Sequence, residues 1–418
     1  MTALEQFGEW IASADPGLGA AVALHVADAV GAWIAGSATA DGAAMLALRS
    51  EPEGTPERVL RRCACARLSE IDDIHLAAAV TPGGVIVPAA LTLAAERGAD
   101  GESLARAVAA GYEAMVRLGR AIDGPGVLYR GIWPTYFAAP FGVAAASARL
   151  LGLSAAQSAH ALGIALRLAA PGVGRPAGSR GSRWLALGNA CANGVRAAEW
   201  AKQGFTADLE VLEGEFLANV YGIRPRPRAL TEKLGETRAV AETSFKPWCA
   251  ARQTMAAAQG WTELGVAPED APEIRVLVPP PFLKMVAHGV TAGERVSHLT
   301  SIPYQLALAA LAPESRFDVR QNPAEISREL RGFMQKVKVE ADESLLDHYP
   351  EAWPARIAIG AQERLVTHVP GDPQRPWTER DVLAKFERYA GVDIARMALG
   401  VVEGRIPPAA LLARITLA

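Results

Sequence analysis

Along the first half of the chain, apolar residues recur every three or four positions, the period of an amphipathic or buried helix. The spacing predicts helices over Gly19–Gly36, Ala40–Ser50, Thr55–Leu68, Val85–Arg97, Ser103–Ile122, Tyr136–Leu151, Ser154–Ala169 and Trp184–Gln203. Gly36 and Gly98 read as stops, and Pro88 falls in the first turn of its helix. Leu104, Val108, Tyr112, Met115 and Leu118 share one face of the longest element. Asp28 stands inside an otherwise apolar helix, and Trp184–Gln203 carries small residues where a neighbour can approach closely.

The pattern changes near Phe245. Prolines cluster at Pro279, Pro280 and Pro281, and β-branched runs alternate over Glu273–Val278, Gln335–Val339 (with Lys336–Ala341 continuing the alternation), Ala355–Ile359 and Arg364–Val369. Helical spacing returns between them at Ala250–Glu263 and Pro303–Leu311, so this stretch reads as mixed α+β. Thr378–Ala390 and Asp393–Gly400 are helical again, and Ala409–Leu417 is apolar enough to dock. The boundaries that follow are a helical region, residues 1–244 and 376–418, and an α+β region, residues 245–375.

A chain of 418 residues that is 50% hydrophobic and 21% charged can bury a large core and is longer than one domain normally uses. A net charge of −3 without a Lys/Arg-rich run argues against nucleic acid or an anionic membrane as partner. Cys63, Cys65, Cys191 and Cys249 have no zinc-like spacing with histidine and read as reduced thiols, which suits the cytoplasm. Met1–Pro16 contains Glu5 and Glu9 and lacks the basic start and apolar core of a signal peptide. The most apolar stretches are broken by Pro82, Gly83, Pro88, Arg149 and Gly152, so no membrane span is expected.

Leu68–Gly84, LSEIDDIHLAAAVTPGG, is the stretch richest in chemistry. Glu70, Asp72, Asp73 and His75 lie within six residues. Neighbouring acids hold each other's pKa values apart, so one can keep a proton while the next stays ionised. On the local pattern alone, the favoured reading is a helix start, with Ser69 or Asp72 capping Ile74–Val80. Three further segments offer a pocket. Gly131–Tyr136 brings Trp133 and Tyr136 to a helix entrance. Gly172–Arg183 is a Gly-rich basic loop whose Arg175, Arg180 and Arg183 suit an anion, without a phosphate-binding or dinucleotide fingerprint. Phe245–Thr254 places Lys246 before Pro247 and ahead of Arg252, and a lysine there can act as a base or bind a carboxylate. Cys249 has no histidine nearby in sequence and reads as packing. Ser301–Tyr304 starts a helix that presents the Tyr304 hydroxyl.

Six segments together resemble the MmgE/PrpD family: EIDDIHLAAAVTPGGVIVPAAL, GIWPTYFAAPFGVAAASARLLGL, SRWLALGNACANGVRAAEWAKQGF, FKPWCAARQT, SIPYQLALAAL and HYPEAWPARIAI. The family includes 2-methylcitrate dehydratase, cis-aconitate decarboxylase and iminodisuccinate epimerase. The resemblance implies a mainly α protein: a large all-helical domain, completed by the C-terminal helices, plus a smaller α+β lid domain. It implies a site in the cleft between them, a homodimer, and proton chemistry on a small, anionic molecule without metal or organic cofactor. By the same resemblance Asp72, Asp73 and His75 match the family's DDxH stretch, Lys246 its lid-boundary lysine and Tyr304 a site tyrosine. Glu70 stands where some relatives have aspartate. Four positions depart from the pattern: Thr81, Trp133 and Met255 replace histidines, and Arg183 replaces a lysine.

Tryptophan exchanges no proton near neutral pH, and arginine stays charged. The resemblance therefore leaves Lys246 or Asp72 as base and Tyr304 as acid. Asp73, His75, Glu70, Trp133, Tyr136, Arg183 and Arg252 are expected to bind substrate, with the two arginines clamping an anion. A lyase is the expected outcome. An isomerase, epimerase or cyclase on a more apolar substrate and a non-catalytic binding protein are the alternatives.

Overall fold

The computed structural model describes residues 1–13, 20–48, 53–170, 182–236, 238–321 and 325–417. The protein is mainly α, and the described residues form one sheet, of four strands. The chain divides into two compact units. One takes the described residues up to Phe245 together with Thr378 onward, and the other runs Lys246–Trp377.

The first unit is a helical assembly built on small residues. Its long helices are Ala20–Ser37, Thr55–Leu68, Gly83–Arg97, Gly101–Ala121, Pro134–Leu150 and Arg183–Lys202, joined late in the chain by Glu379–Glu387, Val392–Val402 and Pro408–Leu417. Val26, Val59, Leu91, Leu104, Phe137 and Leu162 are fully buried between them, each contributing about 1.5–3 kcal/mol of apolar burial. Where helices cross, glycine lets the backbones meet. A Cβ on Gly36 would lie 1.8 Å from the Cys65 carbonyl oxygen, and one on Gly194 would lie 2.6 Å from that of Pro140. The small residues of Arg183–Lys202 thus do admit a neighbour. Caps fix several starts: Asp100 accepts from Ser103 N, and Ser154 with Gln157 forms a capping box.

Two sequence expectations change here. Ile74–Val80 is not a helix: His75 and Val80 form an antiparallel bridge, and Ile74 pairs likewise with Ser244. Two β-branched isoleucines and two aspartates in Ile71–Ile74 are weak helix formers, so long-range pairing outvotes the cap signal. The next helix begins at Gly83 rather than Val85, so Pro88 sits inside it rather than in its first turn. Ala20–Ser37 is long and apolar enough to cross a membrane, but 78% of that stretch is buried in the fold. Its Asp28 pairs with Lys385, which marks a core helix and is compatible with a soluble protein.

The second unit is α+β. Strands β1 (Ile274–Val278), β2 (Val337–Ala341), β3 (Ala355–Ile359) and β4 (Gln362–Val366) lie in the order β2-β1-β3-β4. β1 and β2 are parallel, in register from Ile274↔Val337 to Val278↔Ala341. The crossover between them carries helix Ile302–Leu311. β1–β3 and β3–β4 are antiparallel. The last strand starts two residues before the predicted Arg364, because Gly360, at φ 57°, turns the chain back at once. Helix Arg252–Leu264 packs on this sheet, where a Cβ on Gly260 would meet Ile357 Cγ2 at 2.6 Å.

Gly36→Ala tests the close helix approach. Alanine is the better helix former by about 1 kcal/mol, but the crowded Cys65 carbonyl is expected to outweigh that and destabilise by roughly 1–3 kcal/mol net, seen as a lower urea midpoint.

Candidate functional site

In the first unit, the acidic stretch forms a loop held at nearly every polar group. Glu70 takes a left-handed backbone conformation (φ 59°), as does Ala79 (φ 53°). For side-chain-bearing residues such conformations cost on the order of 1–3 kcal/mol and persist only where the surroundings enforce them. Here Ile74 and Ser244 exchange backbone hydrogen bonds at 2.9 and 2.8 Å. His75 N donates to Val80 O at 2.8 Å.

The adjacent aspartates face different partners. Asp73 accepts three hydrogen bonds: from Gly83 N (2.7 Å) on Oδ1, and from Tyr112 OH (2.6 Å) and His25 Nδ1 (2.7 Å) on Oδ2. Burial, and then the Asp73 charge, push the Tyr112 phenol well above its usual pKa, so it remains a donor. The His25 ring stacks on Phe245 with centroids 4.2 Å apart. Asp72 instead accepts from Arg67 Nη1 at 3.0 Å, and the same nitrogen lies 3.1 Å from Glu70 Oε2. Burial alone would lower the Arg67 pKa. The carboxylates of Asp72 and Glu70 more than offset that and raise it.

The glycines of Pro82-Gly83-Gly84 now have a reason. A Cβ on Gly83 would stand 2.7 Å from Asp73 Oδ1, and one on Gly84 would stand 2.7 Å from Asp72 Oδ2. Both carboxylates therefore rest against the N-terminus of helix Gly83–Arg97, where exposed N–H groups and the helix dipole favour negative charge.

His75 is a third branch. Its Nδ1 accepts from Ala78 N at 3.2 Å, which leaves the ring proton on Nε2, facing Glu242 Oε2 at 3.5 Å. Arg120 also holds that carboxylate, at 2.8 Å. The hydrogen bond to His75 leads in keeping Glu242 below the usual carboxylate range, against its burial.

Trp133, Tyr136 and Arg183 come together. The Arg183 guanidinium lies over the Trp133 ring at 4.5 Å and the Trp184 ring at 4.9 Å, with Nε 3.5 Å from Tyr136 OH. Burial raises the Tyr136 pKa; Arg183 and Arg67 oppose it, and Glu70 adds to it, so this phenol lies within electrostatic reach of the acidic loop. Thr81 N and Oγ1 reach Thr135 Oγ1 at 3.1 and 3.2 Å, tying the loop to this segment. Glu70 and Asp72 thus share Arg67, and Tyr136, which Arg183 contacts beside Trp133, lies within electrostatic reach of Arg67 and Glu70. Residues 172–181 of the Gly-rich loop, with Arg175 and Arg180, lie outside the described residues.

The second unit begins with Lys246, whose side chain is buried. Tyr304 is buried at a helix start that Ser301 caps, its N donating to Ser301 Oγ at 3.2 Å. Burial pushes the phenol up to about 12, against a hydrogen bond with the Gln321 side chain, so it is a neutral donor. Arg252 is engaged through one nitrogen. Its Nη2 donates to Asp372 Oδ2 at 2.6 Å, both side chains are fully buried, and the same oxygen accepts from Val369 N at 2.8 Å. Cys249 is buried, with Arg295 Nη2 3.6 Å from its sulfur. Among the described residues, no three His, Cys, Asp or Glu side chains are grouped to hold a metal ion.

Sequence reasoning missed Arg67, His25, Tyr112 and Lys385. Arg67 was detectable as a cation in the last turn of a helix, three and five positions ahead of Glu70 and Asp72. Asp28 in an apolar helix signalled that a distant cation had to answer it.

Two family descriptions match the chain: the MmgE/PrpD N-terminal domain over residues 12–222, and the MmgE/PrpD C-terminal domain over residues 248–397. No curated protein compared with the chain matches it significantly.

His298, beside Tyr304 at 5.6 Å between ring centroids, gives a pH prediction. Burial, then Arg295, lower its pKa from 6.5 to about 4, against its hydrogen bond to Gln321 O. Between those values the unfolded chain binds a proton that the folded chain refuses. This contribution to stability is therefore complete above pH 6.5 and is lost as pH falls toward 4. Urea midpoints from pH 7 to 4 should fall less steeply in His298→Gln than in the wild type.

Proposed function

The chain belongs to the MmgE/PrpD family, and from that premise we propose that it is a cofactor-independent lyase removing a proton next to a carboxylate of a small organic acid. The family includes dehydratases and decarboxylases. The observation that carries the reading is the buried Arg67 shared by Glu70 and Asp72, with the Tyr136–Arg183 contact in electrostatic reach of it. Fixed charges in a water-poor setting stabilise developing charge without reorganising.

In this reading Lys246 is the base, with Asp72 as the second candidate, and Tyr304 supplies a proton to the leaving group. In a dehydration, the C–H electrons form the double bond and hydroxide leaves as water with the Tyr304 proton. In a decarboxylation, the C–C electrons pass to a carbanion, which is then protonated. Arg183 takes the substrate carboxylate, held flat by Trp133 and Trp184. Asp73 and His75 are proposed to shape the loop rather than bind substrate, since Asp73 already accepts three hydrogen bonds. Arg252 is likewise proposed to brace Asp372.

The two indoles around Arg183 favour one second reading: an isomerase or cyclase on a flatter, more apolar acid. Product mass separates the two, since a lyase loses water or carbon dioxide and an isomerase loses neither.

The test is solvent-deuterium incorporation into a panel of small di- and tricarboxylates, followed by NMR. The wild type should label at least one acid at the carbon next to a carboxylate. Lys246→Ala should lose about 100-fold or more, the lower end of the range for a general base. Retention of full activity in that variant would assign the base elsewhere, and no labelling of any acid would favour a binding protein.

A further inference from the structure

Lys385 lies on helix Glu379–Glu387 and is 7% exposed. Its Nζ donates to Asp28 Oδ1 at 2.5 Å and to the backbone oxygen of Ile71 at 2.6 Å, across 314 positions of sequence. Ile71 stands between Glu70, in its left-handed conformation, and Asp72. The Ile71 carbonyl and the Asp72 N–H share one rigid peptide plane. Whatever fixes that oxygen fixes the direction in which the backbone enters Asp72. On the other side Ile71 N donates to Ser69 Oγ at 3.3 Å, so both faces of the residue are held. Asp28 answers the charge of Lys385, and the amine can then serve the carbonyl inside an apolar helix packing.

We infer that Lys385 is a positioning residue for Asp72: the C-terminal helices fix the acidic loop in its working geometry through one ammonium–carbonyl bond. This rests on the role proposed for the loop. It also explains why the N-terminal helical unit takes in a C-terminal segment, since the loop's anchor is encoded there. Truncating Lys385 to alanine vacates the space of its own side chain, where a small amine can stand in for it.

The experiment compares wild type, Lys385→Ala and the apolar double variant Asp28→Leu/Lys385→Met by amide hydrogen exchange and by the deuterium-incorporation assay. The double variant leaves no buried charge unpaired, so it should fold. In both variants the amides of Ile74 and Gly83 should exchange about tenfold faster, the loss of about one supporting hydrogen bond. Amides of helix Gly101–Ala121 should not change. For any acid that the wild type labels, kcat should fall by up to about 100-fold, the size of effect expected for a misplaced group, with KM little altered. Ethylammonium should restore both readouts in Lys385→Ala and neither in the double variant. Wild-type exchange at Ile74 and Gly83 in a folded double variant would overturn the inference, as would a uniform rise across the unit. If the wild type labels no acid, the functional reading fails while the exchange data still decide the role of Lys385.

Discussion

Glu70, Asp72 and Asp73 are all buried within four residues. Water cannot solvate three carboxylates there, so each needs a cation, a hydrogen-bond donor or a helix N-terminus close by. That requirement organises the first unit. Arg67 reaches in from the end of the preceding helix, and His25 and Tyr112 come from two others. The start of helix Gly83–Arg97 is stripped to glycine so that the aspartates can lie on it. The adjacent aspartates thereby face different partners: Asp73 accepts three hydrogen bonds, while Asp72 shares a guanidinium with Glu70.

Of the four positions where the resemblance leads one to expect another residue, three are linked by contacts, and Met255 is buried in the second unit. Trp133 and Arg183, where the resemblance implies a histidine and a lysine, are in direct contact, the guanidinium lying over the indole at 4.5 Å. An imidazole and an amine could exchange protons at this place. An indole and a guanidinium offer a flat, permanently charged surface instead. Thr81, at a third such position, bonds to Thr135 in the same segment as Trp133.

Most helices of the first unit were legible because a buried helix advertises itself by apolar period. Thr55–Leu68 was read to the residue, and the α+β character of the later region followed from its alternating runs. The acidic loop was legible as chemistry and misread as structure. A capping signal is local, whereas the pairing of Ile74 with Ser244 and the amine from Lys385 are long-range and leave no trace in the loop's own residues. Arg252 shows the same limit: its type suits an anion clamp, and only the fold reveals that Asp372 holds one of its nitrogens.

A buried, immobile guanidinium at Arg67 joins Glu70 and Asp72. Side-chain nitrogen NMR of arginine tests it most directly. Arg67 should give resolved Nη signals with hindered rotation and slow proton exchange at neutral pH, unlike the exposed Arg396. A single averaged signal from Arg67, exchanging as fast as that of Arg396, would contradict it.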